Sequence, residues 1–96
     1  MKITFTNSNG ILNIALEGRL DTVTAPEFDS FLLENAKDIE AIVIDCKELV
    51  YISSAGLRVL LSSHKKMKGN LKLINVCELV MEVFEMTGFA DILTIE

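Results

Sequence analysis

The chain has 96 residues, half of them apolar and 24% charged, with nine basic against fourteen acidic side chains and a net charge of −5. That length and balance fit one folded domain over residues 1–96 and exclude a disordered chain, whose apolar fraction would be too low to build a core. The acidic balance argues against a nucleic-acid binder, since phosphate-backbone binding rests on clustered Lys and Arg. The apolar runs are far short of the roughly 20 residues of a membrane span. MKITFTNSNG carries no apolar h-region, so neither a secretory leader nor direct membrane insertion is expected.

Residues 2–7 alternate, with Ile3 and Phe5 on one side and Lys2, Thr4 and Thr6 on the other, the period of a half-buried strand. Asn7-Ser8-Asn9-Gly10 reads as a turn, and Asn-Gly is a strong hairpin signal. Residues 11–17 alternate again with Leu12, Ile14 and Leu16 inward, and Gly18 is expected to end that strand. Thr24-Ala25-Pro26-Glu27 reads as a capping box, in which the Thr24 hydroxyl accepts from the Glu27 N–H and the Glu27 carboxylate reaches back. Pro26 suits the first helical turn. Phe28, Phe31, Leu32 and Ala36 follow at helical spacing, predicting a helix over 25–36.

Ala41-Ile42-Val43-Ile44 reads as a short central strand covered on both faces, followed by a polar turn at Asp45-Cys46-Lys47-Glu48. A second helix begins at Ser53-Ser54 and buries Leu57, Leu60, Leu61 and Met67. Lys65, Lys66 and Lys68 sit near its negative end, and Gly69 suits its C′ position. Residues 71–76 are predicted as a strand, with Leu71, Leu73, Ile74 and Val76 as core candidates. Cys77 to Thr87 is predicted as a helix closed by Gly88, and Ile92 to Ile95 as a short edge strand. The order β-β-α-β-α-β-α-β implies an α/β domain with a mixed four- or five-stranded sheet, right-handed crossovers and three main helices.

Candidates for chemistry are few. Cys46 and Cys77 stand 31 positions apart without a CxxC pair or a Cys/His cluster, so reduced, partly buried thiols are expected rather than a zinc site. The one histidine, His64, lies ten residues after Ser54 on the same predicted helix. That is about 15 Å, too far to act as its base; a surface or boundary position suits His64 better. No phosphate-binding glycine loop is written in the chain, and an enzyme is not expected.

Ser53-Ser54-Ala55-Gly56-Leu57 is the unusual segment, with two hydroxyls and a glycine at a strand-to-helix junction. The plain reading makes Ser53 or Ser54 the N-cap. The functional reading starts from Gly56, which removes bulk beside the hydroxyls inside the first turn. A helix N-terminus also favours negative charge, so a serine there could carry a phosphate without loss of fold.

DCKELVYISSAGLRVLLSSHKKMKGNLKLINV resembles the signature region of the anti-sigma factor antagonists, the STAS-domain family. GRLDTVTAPEF, residues 18–28, resembles that family's first block, and VFEMTGFADILTI its last helix and tail. The resemblance covers essentially the whole chain. It implies a STAS-like mixed sheet with helices, no catalytic residues, no cofactor and a cytoplasmic regulator. The unphosphorylated form would bind an anti-sigma factor serine kinase and free the sigma factor. That kinase would phosphorylate the antagonist and a PP2C-type phosphatase would reverse the mark. Aligned on Gly56-Leu57, the family's phosphorylated serine falls on Ser54. The preceding position, often Asp in the family, is Ser53 here, which makes Ser53 the second candidate acceptor. Asp21 matches the acidic residue of the first block, so Asp21, Ser53, Ser54 and Gly56 form the expected partner-binding surface. The alternative is a STAS subunit of a membrane transport complex, in which the serine is a cap and is not phosphorylated.

Overall fold

Asn9 and Gly10 both take positive φ, +53° and +81°, the paired conformation whose twist matches the strands of a two-residue hairpin. They join β1 (Lys2–Ser8) to β2 (Ile11–Leu20) in the expected antiparallel register, Ser8 opposite Ile11 and Lys2 opposite Glu17. The computed structural model describes all 96 residues. After the hairpin come α1 (Ala25–Asn35), β3 (Ala41–Ile52), α2 (Ser54–Lys66), β4 (Leu71–Ile74), α3 (Glu78–Thr87), a 3-10 turn (Phe89–Asp91) and β5 (Thr94–Ile95). The anticipated order therefore holds, with five strands in one mixed sheet and three main helices.

The strands lie in the sheet in chain order, with β2 through β5 parallel. When every right-handed crossover advances in the same direction, all the helices fall on one face of the sheet. The register agrees. Leu12, Ile42 and Leu71 form one row and Ile14, Ile44 and Leu73 the next. These rows join Phe28 and Leu32 of α1, Leu57 and Leu60 of α2, and Val80 and Phe84 of α3 in a single core of 19 buried residues. The other face has no helix on it: Thr4, Thr6 and Asn13 are exposed, and Ala15, Val43 and Asp45 half-buried. The expectation that β3 is covered on both faces is thus corrected. Its continuous apolar run buries Ile42 and Ile44 and leaves Ala41 and Val43 half-open.

Two strands run further than their local sequence suggested. β2 passes through Gly18 to Leu20, and β3 passes through Asp45–Glu48 to Ile52. The register slips twice between them, between Ala15 and Glu17 and between Gly18 and Arg19. At each slip β3 carries one extra residue, as in a β-bulge. Gly18 takes φ +107° there, open to glycine and strained for other residues. The supposed polar turn is therefore bulged strand. Cys46 stays in the core between Ile44 and Leu49, while the Asp45 carboxylate accepts from the Lys47 N–H at 3.0 Å and the Asn75 side-chain amide at 3.1 Å.

Helix ends supply further corrections. The capping box at α1 does not form: the Thr24 side chain turns back toward Asp21, and Glu27 is exposed. At the end of α2 it is Lys68, φ +54°, that follows the Met67 C-cap in left-handed conformation, with Gly69 one residue later. Lys68 N–H donates to Lys65 O and Gly69 N–H to His64 O, at 3.0 and 2.9 Å, the bonding of a Schellman motif. β4 stops at Ile74, where Asn75 takes positive φ, and leaves Val76 in the connection. β5 is only Thr94–Ile95; Leu93 is buried but outside the strand. Both thiols are free, as expected: Cys46 is buried, which pushes its pKa up to about 12, and Cys77 is half-buried.

Candidate functional site

β2 and β3 end side by side, Leu20 opposite Ile52, and the ladder runs one step further as Ser53 N–H donates to Leu20 O at 2.9 Å. The segments entering α1 and α2 are therefore neighbours at the C-terminal ends of parallel strands, where open α/β sheets commonly place their sites. This register brings Asp21 beside Ser53, although the two are far apart in the chain.

At α2 the cap is Ser53, in extended conformation, whose Oγ accepts from the Gly56 N–H at a long 3.5 Å. Ser54 is the first helical residue and is exposed. The two serines thus divide the work: Ser53 holds the helix end and Ser54 presents its hydroxyl. Gly56 acts differently from the sequence reading. It is buried, and a Cβ built on it would lie 2.8 Å from Leu20 Cγ, 2.9 Å from Leu20 O and 3.0 Å from Ile52 Cγ1. Its lack of a side chain seats α2 directly on the end of β2, below the surface that carries Ser54; it does not clear space beside the hydroxyls.

At α1 the polar groups close on one another. Asp21 Oδ1 accepts from the Val23 N–H at 3.0 Å and the Thr24 N–H at 3.1 Å. Thr24 Oγ1 accepts from the Asp21 N–H at 2.8 Å. Its single proton has two acceptors in reach, Arg19 O at 2.7 Å and Asp21 Oδ1 at 3.2 Å, and the shorter contact takes it. The N–H of Thr24, foremost, with that of Val23 and the nearby Arg19 charge, holds the Asp21 carboxyl below the usual carboxylate range against its partial desolvation. Arg19 reaches Asp21 Oδ2 at 3.7 Å and lies 4.0 Å over the Tyr51 ring, in the cation–π position.

The sequence reading missed Arg19, Val23 and Tyr51. Arg19 and Tyr51 are register partners across β2 and β3, a pairing visible only once both strands are known to extend past their bulges. Val23 is 82% exposed at the tip of the Asp21–Thr24 turn. An apolar residue in so short a polar turn, TVT, was its one signal. Arg58, also exposed, lies four residues after Ser54, on the same side of α2. Four surface clefts exist, and none is lined by Asp21, Ser53 or Ser54. The site lies on open surface outside these clefts.

A STAS domain family model matches residues 2–96. The chain belongs to the STAS domain family. Among its relatives, BtrV of Bordetella bronchiseptica is 36% identical over 96 residues, covering 96% of this chain and 83% of BtrV. The anti-sigma-B factor antagonist of Bacillus subtilis is 36% identical over 93 residues, covering 93% of this chain and 84% of that protein. In three dimensions this STAS domain superimposes on an anti-sigma factor antagonist from Mycobacterium paratuberculosis with a TM-score of 0.86 at 20% identity, covering 98% of this chain and 83% of the other. No helix of this STAS domain is long and apolar enough to cross a membrane.

Proposed function

We propose that this STAS domain is an anti-sigma factor antagonist that binds an anti-sigma factor serine kinase through the surface around Asp21, Ser53 and Ser54, and is switched off by phosphorylation of Ser54. The observation that carries the reading is the division of labour at α2: with the cap held by Ser53, Ser54 is exposed and free to be modified. Arg19, Val23 and Tyr51 complete the docking surface. ATP and its metal belong to the kinase, and a PP2C-type phosphatase restores the active form in the cytoplasm.

Phosphorylation adds about −1.5 to −2 charge at pH 7. It falls on a chain of net −5, one residue past Ser53, which the strand register sets next to Asp21. A partner surface that accepts a neutral hydroxyl then meets a dianion that it must desolvate without a counter-charge. A loss of only about 2.7 kcal/mol is a hundredfold in affinity. The fold itself tolerates the phosphate, because the N-terminus of a helix favours negative charge. The switch therefore works at the interface and requires no refolding.

The test is incubation with an anti-sigma factor serine kinase that binds the chain, in the presence of ATP, read by intact mass and peptide mapping. The wild type gains one phosphate, on Ser54. Ser54→Ala gains none and still binds; Ser54→Asp folds and binds weakly. A phosphate on Ser53 moves the acceptor by one residue. A bound kinase that leaves both serines unmodified overturns the switch and favours the transport-complex role.

A further inference from the structure

The two edges of the sheet are unlike. β5 offers two residues, Thr94–Ile95, too few to template another strand. β1 offers seven, Lys2–Ser8, in unbroken register with β2; the bulges lie on the far side of β2, against β3. Exposed edges are ordinarily guarded by proline, bulges or inward-pointing charge. β1 has no proline, no bulge and a single charged residue, Lys2, at its very start. On a chain of net −5, this edge carries no acidic side chain to repel a second copy.

The hairpin reveals which backbone groups are unpaired. In a two-residue turn the flanking residues, here Ser8 and Ile11, exchange both backbone hydrogen bonds, and the bonded pairs then alternate along the ladder. Ser8, Thr6, Thr4 and Lys2 therefore bond inward to β2. The N–H and C=O groups of Ile3, Phe5 and Asn7 point outward. Phe5 stands at the middle of the strand, 49% exposed, with its ring edge-on to Phe31 at a centroid distance of 4.9 Å.

We propose that β1 is a self-association edge: it pairs antiparallel with β1 of a second copy, centred on Phe5, so that two five-stranded sheets join into one two-fold dimer. In this register Phe5 faces its symmetry mate, Ile3 faces Asn7, Thr4 faces Thr6 and Lys2 faces Ser8. No like charges are opposed. The outward groups of Ile3, Phe5 and Asn7 are all satisfied. The Phe5–Phe31 contact becomes a row of four rings, each pair favourable beyond the area that it buries. The two-fold sends the C-terminal ends of β2 and β3 to opposite ends of the joined sheet, so both Ser54 surfaces stay open. One strand pair buries less than the roughly 1,600 Å² of a standard interface, so the dimer is weak and concentration-dependent.

Sedimentation equilibrium up to several hundred micromolar chain tests it, with twice the chain mass expected at the upper end. Asn7→Pro removes one outward N–H and no inward one, so it is expected to remain monomeric throughout with an unchanged melting temperature. Register is read by disulfides. Thr4→Cys and Thr6→Cys chains mixed and mildly oxidised are expected to link, because those positions face each other; neither variant alone links, because equivalent positions lie diagonally, beyond disulfide reach. A wild type that stays monomeric over the whole range overturns the proposal. So does an Asn7→Pro variant that still dimerises, or linking by single variants equal to that of the mixture.

Discussion

Two helix N-termini sit side by side at the ends of β2 and β3, and they are built in opposite ways. At α1 the polar side chains are consumed: Asp21 and Thr24 bond each other's backbone N–H groups, and the Thr24 hydroxyl reaches Arg19 O. At α2 one long bond from Gly56 to Ser53 serves as the cap, and Ser54 is left exposed. The first end is framework and keeps a carboxylate ionised at a set position. The second is capped by Ser53 and seated by the close approach of Gly56 to Leu20 and Ile52, with Ser54 left exposed. A modifiable serine at a helix start thus needs its capping duty carried by other groups.

The largest effect is expected where the two ends touch. Gly56→Ala places a Cβ 2.8 Å from Leu20 Cγ and 2.9 Å from Leu20 O. Helix propensity by itself favours alanine over glycine by about 0.5–1 kcal/mol; the packing reverses the sign. A loss of about 1–3 kcal/mol is expected from the overpacking, read in urea melts. Partner affinity is expected to fall with it, as α2 is pushed away from β2. A variant as stable as the wild type would remove Gly56 from the support of the site.

Next is the α1 end. Asp21→Ala frees two backbone N–H groups and the Arg19 charge, so a clear drop in melting temperature at neutral pH is expected, together with slower phosphorylation of Ser54. The pH dependence has a definite sign. The folded pKa is depressed, so the stabilisation is complete above the unfolded carboxylate pKa of about 4. It is lost as the pH falls through the lower, folded value. Asp21→Asn is expected to flatten stability against pH in that acid window and, between pH 6 and 8, to lower the level of stability without changing its slope. An unaltered acid limb would show that the carboxylate is not engaged in solution.

Ser53→Ala removes the α2 cap. Its bond is long, so the cost is expected near the low end of the cap range, about 0.5–1 kcal/mol, with Ser54 still phosphorylated. The smallest effect belongs to Ser54 itself. Ser54→Ala is expected within about 0.5 kcal/mol of the wild type. Ser54→Asp is expected to gain about 0.3–1 kcal/mol from the positive end of the helix. If Ser53→Ala proved neutral and Ser54→Ala costly, the roles assigned to the two serines would be exchanged.

Much of this was legible in the chain. Asn9-Gly10 announced the hairpin, helical spacing of Phe28, Leu32, Leu57 and Leu60 located the first two helices, Gly88 marked the end of the third, and β/α alternation implied their parallel sheet. Those signals are local, because hydrophobic period and turn chemistry act within a few residues. Ser54 as the candidate acceptor and Asp21 as part of the same expected surface came from the resemblance of the SSAGL and GRLDTVTAPEF stretches to one family. Tertiary structure decided the rest. Whether Asp45–Glu48 is turn or strand depends on β2 running alongside with two bulges to absorb the mismatch. Whether Thr24 caps α1 or turns back depends on Asp21 and Arg19 O offering better partners. Whether Gly56 is spare or indispensable depends on Leu20, 36 positions earlier in the chain. In each case the deciding group is brought in by register or by packing between elements, and a window of neighbouring residues carries no trace of it.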